Sequence, residues 1–364
     1  MQILHTIFTS IETGFRVCSR PFYRKGVLAM IGLIRVALKL GAVALMATAG
    51  VARVAEHPKS PSRSANLKSV SSTSPYLDNW LVSIALNDHR NAFVVSRNGG
   101  IMKTVDGGAR WLDIEPDYKG ADRWFRDVAS TDPNTAWVVG SQGLILKTSD
   151  GGQTWDDQTV ATFPDLSSVS FFNKENGYAV GIDGTIVHTT NGGLSWSVEA
   201  SSTKSFLFDV AMSDSNTAWA VGAQGTIVRT TDSGKTWSTV FRDPQINLHG
   251  VAASGSQTVW AVGGQGVILK SSDGGATWSH QISPKLRLLL SIEALDDHTA
   301  WACGSDGVVI HTRDGGETWV RQETNAISFL YGIGVTDATN IWTVGNQGEV
   351  LVSHDVGRTW RNSP

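Results

Sequence analysis

Cysteine, tyrosine and charge are all scarce in this sequence, and each shortage narrows what the protein can be. The 364 residues include two cysteines and five tyrosines, and only 17% of them are charged. Cys18 precedes an apolar segment and Cys303 stands alone in a strand pattern, so we expect no disulfide and predict a small buried hydrophobe at Cys303. Histidines are not grouped with cysteines at metal-ligand spacing, and no Gly-rich loop opens a helix. We therefore expect no metal, no cofactor and no small-molecule substrate.

Basic residues are few in the body of the chain. Residues 1–49 hold six Lys and Arg and one acid, which leaves 24 basic and 32 acidic residues from Gly50 onward, a formal charge of −8. Binding to nucleic acid needs clustered Lys and Arg that neutralise phosphates. The composition therefore argues against a nucleic acid partner.

The N-terminal region combines basic residues with an apolar run. The run from Leu40 to Ala49 ends in a small-x-small sequence, as the cleavage site of a signal peptide does. We predict a signal peptide over residues 30–49 that starts at Met30, with residues 1–29 upstream of the true start.

The alternative is an uncleaved membrane anchor. It would place Arg35 and Lys39 in the span, at a cost of roughly 2.5–3.5 kcal/mol each near its centre. Both interpretations predict export of the body to a periplasm or a lumen, either free or tethered to the membrane. Residues 50–75, rich in Pro and Ser and poor in aromatic residues, are predicted to form a flexible linker.

Glycine and tryptophan, with 38 and 14 residues, are abundant, and they recur in one motif. The segment DGGQTW at Asp150 returns every 41 residues until Asp355, and a first copy at Asp106 lies 44 residues before Asp150. We expect the three extra residues around Pro116 to Gly120. Each copy contains four short strand patterns, with an x-Gly pair between the second and third that suits a tight hairpin. Four strands in about 40 residues is typical of a β-propeller blade.

We therefore predict an all-β protein, a seven-bladed β-propeller over residues 76–364 with four antiparallel strands in each blade. Only Arg361 to Pro364 follow the last tryptophan, which is short for an outer strand. Residues near Asn66 to Thr73 are therefore expected to complete blade seven from the N-terminal side. A ring closed on itself needs no second copy for stability, so we expect a monomer.

The repeated motif resembles the Asp box, in which a carboxylate ties down the hairpin between the third and fourth strands and a tryptophan packs between blades. Asp or Asn suits side-chain to backbone hydrogen bonds in a turn, and Gly suits its left-handed position. We assign structural roles to the pairs Asp106 and Trp111, Asp150 and Trp155, Asn191 and Trp196, Asp232 and Trp237, Asp273 and Trp278, Asp314 and Trp319, and Asp355 and Trp360. One column of the second strand is also expected in the core, and it comprises Trp137, Trp219, Trp260, Trp301 and Trp342, with Phe93 and Tyr178 completing it.

Two columns of the innermost strands vary in residue type and include aromatics, whereas a neighbouring column is always β-branched. Innermost strands line the mouth of the central channel, so an uneven, partly aromatic ring there suits an apolar segment of a partner protein. The alternative is that these side chains only fill space between blades. The predicted partner-binding residues are Trp80, Trp124, Arg126, Phe206, Phe208, His249, Phe329 and Tyr331.

A third column is basic in six of the seven repeats, and an anionic ligand would be one explanation for it. We favour long side chains that cover the blade edge and keep their charged heads in water, over the tryptophan rings of the boxes. The column comprises Lys103, Lys147, His188, Arg229, Lys270 and His311, with Val352 as the exception.

Asp boxes also occur in sialidases and other glycoside hydrolases, so a carbohydrate-active enzyme or a lectin is the alternative function. The Phe/Tyr-Arg-Ile-Pro signature of sialidases is absent, and only Tyr331 falls at the channel mouth as a candidate nucleophile. The nearest carboxylates are Asp127, Asp165 and Asp209. The first and last of these share one blade position two blades apart, which indicates a structural role. We expect a protein that is not an enzyme.

The repeat AWVVGSQGLILKTSDGGQTW from Ala136 resembles the repeats of the photosystem II assembly and stability factor family and its bacterial relatives, and the resemblance covers all seven blades. It implies a non-catalytic, exported propeller that serves photosynthesis by holding a membrane-protein client during assembly. Photosynthetic members carry an arginine patch, whereas the arginines of this sequence are scattered along the chain. We therefore expect a protein-binding assembly factor or scaffold for a membrane complex.

Overall fold

The structure, a computed structural model, describes most of the chain beyond residue 80 and three short stretches before it. The described residues are 54–56, 63–64, 66–69, 80–115, 124–160, 162–284 and 287–363. The predicted signal peptide and the insertion expected at 116–120 lie outside the described residues. Within the described ranges, no helix has the length and apolar character needed to cross a membrane.

Seven antiparallel sheets, each built on four consecutive strands, follow one another along the chain, which confirms the predicted propeller. Three short strands precede them: β1 (Val54–Glu56), β2 (Arg63–Ser64) and β3 (Asn66–Ser69). Blades one to three are β4 (Leu81–Leu86), β5 (Ala92–Ser96), β6 (Ile101–Thr104) and β7 (Leu112–Glu115); β8 (Phe125–Asp132), β9 (Thr135–Gly140), β10 (Ile145–Thr148) and β11 (Thr154–Asp157); and β12 (Leu166–Phe171), β13 (Gly177–Gly181), β14 (Ile186–Thr189) and β15 (Ser195–Val198).

The remaining four blades have the same order of strands. Blades four and five are β16 (Leu207–Met212), β17 (Ala218–Gly222), β18 (Ile227–Thr230) and β19 (Ser238–Phe241), then β20 (Leu248–Ser254), β21 (Thr258–Gly263), β22 (Ile268–Ser271) and β23 (Ser279–Gln281). Blades six and seven are β24 (Leu289–Ala294), β25 (Ala300–Gly304), β26 (Val309–Thr312) and β27 (Val320–Gln322), then β28 (Leu330–Val335), β29 (Ile341–Gly345), β30 (Val350–Ser353) and β31 (Arg361–Asn362).

The turn between the second and third strands is a single 3-10 turn in blades two to seven. In blade two, Gln142 has a φ of 57° and Gly143 a φ of 68°. Both central residues therefore adopt the left-handed conformation that the x-Gly pattern predicts. The six turns are Ser141–Gly143, Ile182–Gly184, Ala223–Gly225, Gly264–Gly266, Ser305–Gly307 and Asn346–Gly348.

The boxes hold the hairpin between the third and fourth strands, as predicted. Asp150 Oδ1 accepts from the backbone N–H of Thr154 at 2.9 Å and from Thr148 Oγ1, also at 2.9 Å. Thr148 Oγ1 in turn accepts from the N–H of Gly152 at 2.8 Å. Asn191 makes the corresponding contact with the N–H of Ser195 in blade three, so its amide oxygen replaces the carboxylate there.

Each core lies between two neighbouring blades. The five second-strand tryptophans are fully buried, and five of the seven box tryptophans are buried with them. Trp278 and Trp360 are only partly buried but pack against the same clusters. Between blades seven and one, the ring of Trp111 meets that of Trp342 edge-on at 6.1 Å. The side chains predicted to form the core therefore form the seams that join the blades.

The basic column lies inside these seams, which corrects part of our interpretation. Lys103 Nζ lies 4.9 Å from the ring centroid of Phe93, the second-strand aromatic of its own blade, and not over a box tryptophan. It donates to the carbonyl oxygens of Pro133 at 2.7 Å and Gly151 at 3.1 Å, both in blade two. Its side chain is buried. The ammonium can be buried because these two carbonyls replace the water that would otherwise solvate it.

Blade seven closes with its own residues, so the predicted closure from the N-terminal side is wrong. The two residues of β31 pair with β30 and supply the fourth strand. Strand β3 pairs with β7 of blade one instead, and residues 70–73 lie outside the described residues. Ser363 reaches blade one, where its Oγ donates to the carbonyl of Gly108 and accepts from Trp111 Nε1 at 3.0 Å.

Three strands lie within the segment that its composition predicts to be a linker. β1 pairs with β15, β2 with β11 and β3 with β7, all antiparallel. The segment therefore adds a fifth strand to blade three, then blade two, then blade one. The outermost strand of a blade has unpaired backbone groups, and a passing segment of almost any composition can bond to them.

Candidate functional site

Each innermost strand contains a β-bulge at the same point, near one mouth of the channel. In blade one, Leu81 pairs with Ser96 and Ser83 pairs with Val95, which leaves Val82 as the extra residue. A bulge redirects the side chain at which it occurs. The seven bulged residues all line the central channel, whose volume is about 380 Å³, and they are Val82, Arg126, Ser167, Phe208, His249, Leu290 and Tyr331.

Six side chains from blades seven, one and two form a contiguous group at this mouth, which we call the mouth cluster: Trp80, Arg97, Trp124, Arg126, Phe329 and Tyr331. Trp80 and Trp124 each expose 46% of their surface. The guanidinium of Arg97 lies 5.0 Å from the ring centroid of each of these tryptophans. Tyr331 continues the group, with ring centroids 6.2 Å from Trp80 and 5.8 Å from Phe329.

Neither arginine of the mouth cluster forms an ion pair with a residue that the structure describes. In the part of the chain that the structure describes, neither guanidinium pairs with a carboxylate or donates to an acceptor. Burial and the neighbouring charge of Arg97 lower the pKa of Arg126, and Asp165 offsets this only in part. Five N–H donors per guanidinium are thus available to a ligand at the mouth.

A second aromatic group lies across the same mouth on blades four and five. The ring centroids of Phe206 and Phe208 are 4.5 Å apart, and His249 stacks on Phe208 at 4.9 Å. Burial lowers the pKa of His249. The structure therefore brings all eight predicted residues to one mouth, in two groups, and their role in partner binding stays a prediction.

Sequence reasoning missed Arg97 and two exposed isoleucines in the loops of the same face. Arg97 is the only basic residue in its turn column, where the other blades have Ser141, Ile182, Ala223, Gly264, Ser305 and Asn346. That exception was a usable signal. Ile282 and Ile327 expose 85% and 91% of their surface in the connections that reach this face, and lone aliphatic residues in loops give no comparable signal.

The carboxylates considered for catalysis are all occupied in the structure. Asp127 accepts from Ser83 Oγ at 2.6 Å and from the N–H groups of Val128 and Val169. Asp165 Oδ1 accepts from the N–H of Gln142 at 2.8 Å and so caps the turn of blade two. This supports the structural role that sequence comparison indicates for Asp127.

Asp209, the third of these carboxylates, lies in the same channel wall. Its carboxylate accepts from Ser168 Oγ at 2.7 Å and from the N–H of Val251 at 2.8 Å. It therefore bonds to blades three and five from blade four, as Asp127 bonds to blades one and three.

A third acid, Glu293, projects into the channel and was not predicted. It is accessible from the channel, yet the surrounding walls leave it poorly solvated. This burial, with the charges of Asp209 and Asp127, raises the pKa of Glu293 to about 8. Burial and the charge of Asp127 likewise raise the pKa of Asp209 to about 7. Three acids, Asp127, Asp209 and Glu293, thus line this part of the channel.

The opposite face of the ring has a different chemistry. Six of the seven hairpins between the first and second strands are held by an Asx turn, as in Asp88, whose Oδ1 accepts from the N–H groups of Arg90 and Asn91. The others begin at Asp132, Asn173, Asp214, Asp296 and Asp337. The boxes lie on this face too, so most of its carboxylates already accept hydrogen bonds from the protein.

Fold and mouth together define a seven-bladed Asp-box propeller with an aromatic and arginine-bearing channel mouth. The family model for the photosynthesis system II assembly factor YCF48 matches residues 119–204, which confirms the resemblance seen in the repeats. No curated protein matches the chain in sequence.

Solved structures show the same fold. A structure of YCF48 bound to a D1 peptide is 20% identical with a TM-score of 0.65, over 82% of this chain and 99% of that one. YCF48 from Cyanidioschyzon merolae is 19% identical with a TM-score of 0.64, over 79% and 98%. A GH74 xyloglucanase from Xanthomonas campestris is 12% identical with a TM-score of 0.63, over 82% and 56%. At these identities the likeness is one of fold.

Proposed function

We propose that this protein is an exported, non-catalytic propeller that binds a protein segment at the mouth cluster and acts as an assembly factor or scaffold for a membrane complex. The observation that carries the proposal is a pair of half-exposed tryptophans on either side of an arginine that forms no ion pair among the described residues. Trp80, Arg97 and Trp124 form this group. Tryptophan, tyrosine and arginine are the residues most enriched at the centres of protein interfaces.

The chemistry of the mouth indicates what a client segment should offer. Its apolar side chains would cover the rings of Trp80, Trp124 and Phe329, and its carbonyl or carboxylate oxygens would accept from Arg97 and Arg126. Hydrogen bonds from a guanidinium to an ionised acceptor are stronger than those between neutral groups. An extended segment with apolar and acidic residues in alternation suits such a surface.

Two further observations support the role in assembly. A propeller of the same fold, YCF48, has been solved with a D1 peptide bound. The basic and apolar N-terminal region of the present sequence has the features of a signal peptide or an anchor, which would bring the body to a membrane surface beyond the cytoplasm. We infer a client that is itself a membrane protein.

The test is affinity capture of the full chain from membranes of its own cells, with crosslinking and mass spectrometry of the captured proteins. A Trp80→Ala/Trp124→Ala chain and a Phe208→Ala/Tyr331→Ala chain should each capture at least about tenfold less client, because interface hot spots contribute roughly 2 kcal/mol or more. The matched control is Phe172→Ala. Phe172 exposes 48% of its surface on the opposite face, so its loss should leave capture unchanged.

Equal capture by both mouth variants and the control would refute binding at this mouth. Capture of glycans without protein would instead favour a lectin or a glycoside hydrolase. The GH74 likeness and the exposed tryptophans favour that second candidate, because aromatic rings also bind sugars. Against it stand the carboxyl groups of Asp127 and Asp209, which are committed to neighbouring strands.

A further inference from the structure

Two carboxyl groups in the channel wall contact one serine hydroxyl. Ser168 on β12 lies between Asp127 on β8 and Asp209 on β16. Its Oγ is 2.8 Å from Asp127 Oδ2 and 2.7 Å from Asp209 Oδ1. A serine hydroxyl has one proton to donate. In one of the two contacts, therefore, the proton must come from the carboxyl group.

Asp127 Oδ1 also contacts the hydroxyl of Ser83 at 2.6 Å, and the remaining contacts of these carboxyls use donors that cannot be reversed. The N–H groups of Val128 and Val169 point at Asp127, and those of Val210 and Val251 point at Asp209. Backbone N–H groups only donate, so they place no proton on either acid. Ser83 contacts Oδ1 of Asp127 and Ser168 contacts Oδ2, so the proton that the two contacts of Ser168 require lies between the two carboxyls.

We propose that Asp127, Ser168 and Asp209 share one proton in a carboxyl–hydroxyl–carboxylate chain that joins blades two, three and four. In either direction of the chain, one acid donates to Ser168 and Ser168 donates to the other acid. The arrangement satisfies every polar atom of the three side chains with one net negative charge. Loss of the proton leaves two carboxylates facing a single donor.

No neighbouring charge removes the need for the proton among the described residues. Glu293 on β24 also lines the channel, and its pKa, raised to about 8 by burial and by the charges of Asp209 and Asp127, leaves it uncharged below that pH. Arg126 is next to Asp127 in sequence, but the charges that act on it are those of Arg97 and Asp165. The other titratable groups on these strands and their neighbours are Asp132 on β8, His249 on β20, Tyr178 on β13 and Asp183 in the turn beside β16.

Burial raises the pKa of both acids, that of Asp209 to about 7, with a further contribution from the charge of Asp127. An unfolded chain releases such a proton near pH 4. Between about pH 4 and 7 the folded protein therefore holds a proton that the unfolded chain has lost. Unfolding releases it, so the contribution of this proton to stability falls as pH rises through this window and levels off above about pH 7.

The device does not depend on the proposed function, and it lies directly beneath the mouth. Arg126 precedes Asp127 and Phe208 precedes Asp209, each on the bulge beside its acid. The shared proton thus fixes the strands that present two of the predicted partner-binding residues. It can be tested without a partner, so its failure and that of the proposed function are distinguishable.

The first test follows urea unfolding of the full chain between pH 5 and 9. For each proton that the folded state retains, the unfolding equilibrium constant should rise about tenfold per pH unit below the folded pKa. Asp209→Asn should reduce the slope between pH 5 and 7 by about one proton, and Glu293→Gln separately removes the contribution of Glu293. An Asp209→Asn slope equal to that of the wild type would overturn the proposal.

The matched control is Asp273→Asn. It changes a carboxylate at the box position where blade three has Asn191, and hydrogen bonds led by Thr277 lower the pKa of Asp273 to about 2, outside the tested range. Its slope should equal that of the wild type. A second measurement decides the matter even if Asp209→Asn does not fold. Infrared spectra of carboxyl-labelled wild-type protein should show a protonated aspartic acid at pH 6 that disappears by pH 9, and its absence at pH 6 would refute the shared proton.

Discussion

The second and third strands of the seven blades are nearly interchangeable, whereas the innermost strands are not. The second strand carries a buried aromatic residue, the third strand carries a basic residue above that ring, and the next blade contributes a box glycine. This arrangement recurs around the ring. In the innermost strands, the bulged position changes from Val82 to Arg126 to Phe208. A seam is a closely similar contact made seven times. The channel axis is a single place where the seven innermost strands converge, and the seven bulged residues that line it are all of different types.

Exceptions within the seams occur in pairs, which shows how closely adjacent blades fit. A Cβ on Gly151 would lie 2.5 Å from Lys103 Nζ, so a larger residue there requires the lysine ammonium to move from its two carbonyl acceptors. Where the basic column has a histidine, the following box carries a larger residue. Ser233 follows His188 and Val356 follows His311, and both keep the positive φ of the glycine they replace.

The largest effect should come from emptying a seam. Trp260 is fully buried between blades five and six, so Trp260→Ala should lower the free energy of unfolding by about 3–5 kcal/mol. Trp124→Ala at the half-exposed mouth should cost less than about 1 kcal/mol. Urea denaturation of both variants measures the difference. Equal losses would mean that the mouth tryptophans are core residues and that the two regions do not differ in kind.

A smaller effect should follow from disturbing one seam exception. Gly151→Ser places a Cβ against Lys103 and should cost about 1–3 kcal/mol, and Lys103→His in the same chain should restore part of it. A double-mutant cycle measures this coupling. Gly107→Ser is the control, because Gly107 has a similar φ of 74° but follows the column position occupied by Val352. Coupling between Gly107→Ser and Lys103→His as large as that at Gly151 would contradict the steric explanation.

The smallest effect concerns stability at acidic pH. The box carboxylates stabilise the fold more as pH rises, whereas the shared proton of the channel stabilises it less. Hydrogen bonds from Thr277 and its neighbours lower the pKa of the box carboxylate Asp273 to about 2. Such a group stabilises the fold above about pH 4 and contributes progressively less as pH falls to about 2. Asp273→Asn should therefore weaken the pH dependence of the melting temperature between pH 2 and 4. A slope as steep as that of the wild type would show that the other carboxylates alone govern acid unfolding.

The fold could be predicted from the sequence because the same local pattern of strands and turns occurs in seven copies, six of them spaced by 41 residues. Strand order, box hydrogen bonds and the buried second-strand column were all visible in that period. Closure was not, because it depends on whether β31 or a preceding segment takes the outer edge of blade seven. Two residues are enough there, since Ser363 adds a bond to Gly108 in blade one.

The site was only partly predictable, for a related physical reason. Columns placed Trp80 and Tyr331 at one mouth, but the contact of Arg97 with two tryptophans depends on how blades one and two meet in space. The position of Glu293 opposite Asp209 depends likewise on the ring. Distances across the channel axis depend on how all seven blades are arranged around it, and no local sequence pattern encodes that arrangement.

Closure by β31 means that the four main strands of every blade come from one uninterrupted stretch of chain. As the polypeptide leaves the ribosome, each blade has all four of its strands once its own last residue emerges, and each new blade immediately finds a seam to bury. Only the seam between Trp342 and Trp111 waits for blade seven, because it joins that blade to the first. Gain or loss of one 41-residue unit during evolution would add or remove a whole blade and leave every other blade intact.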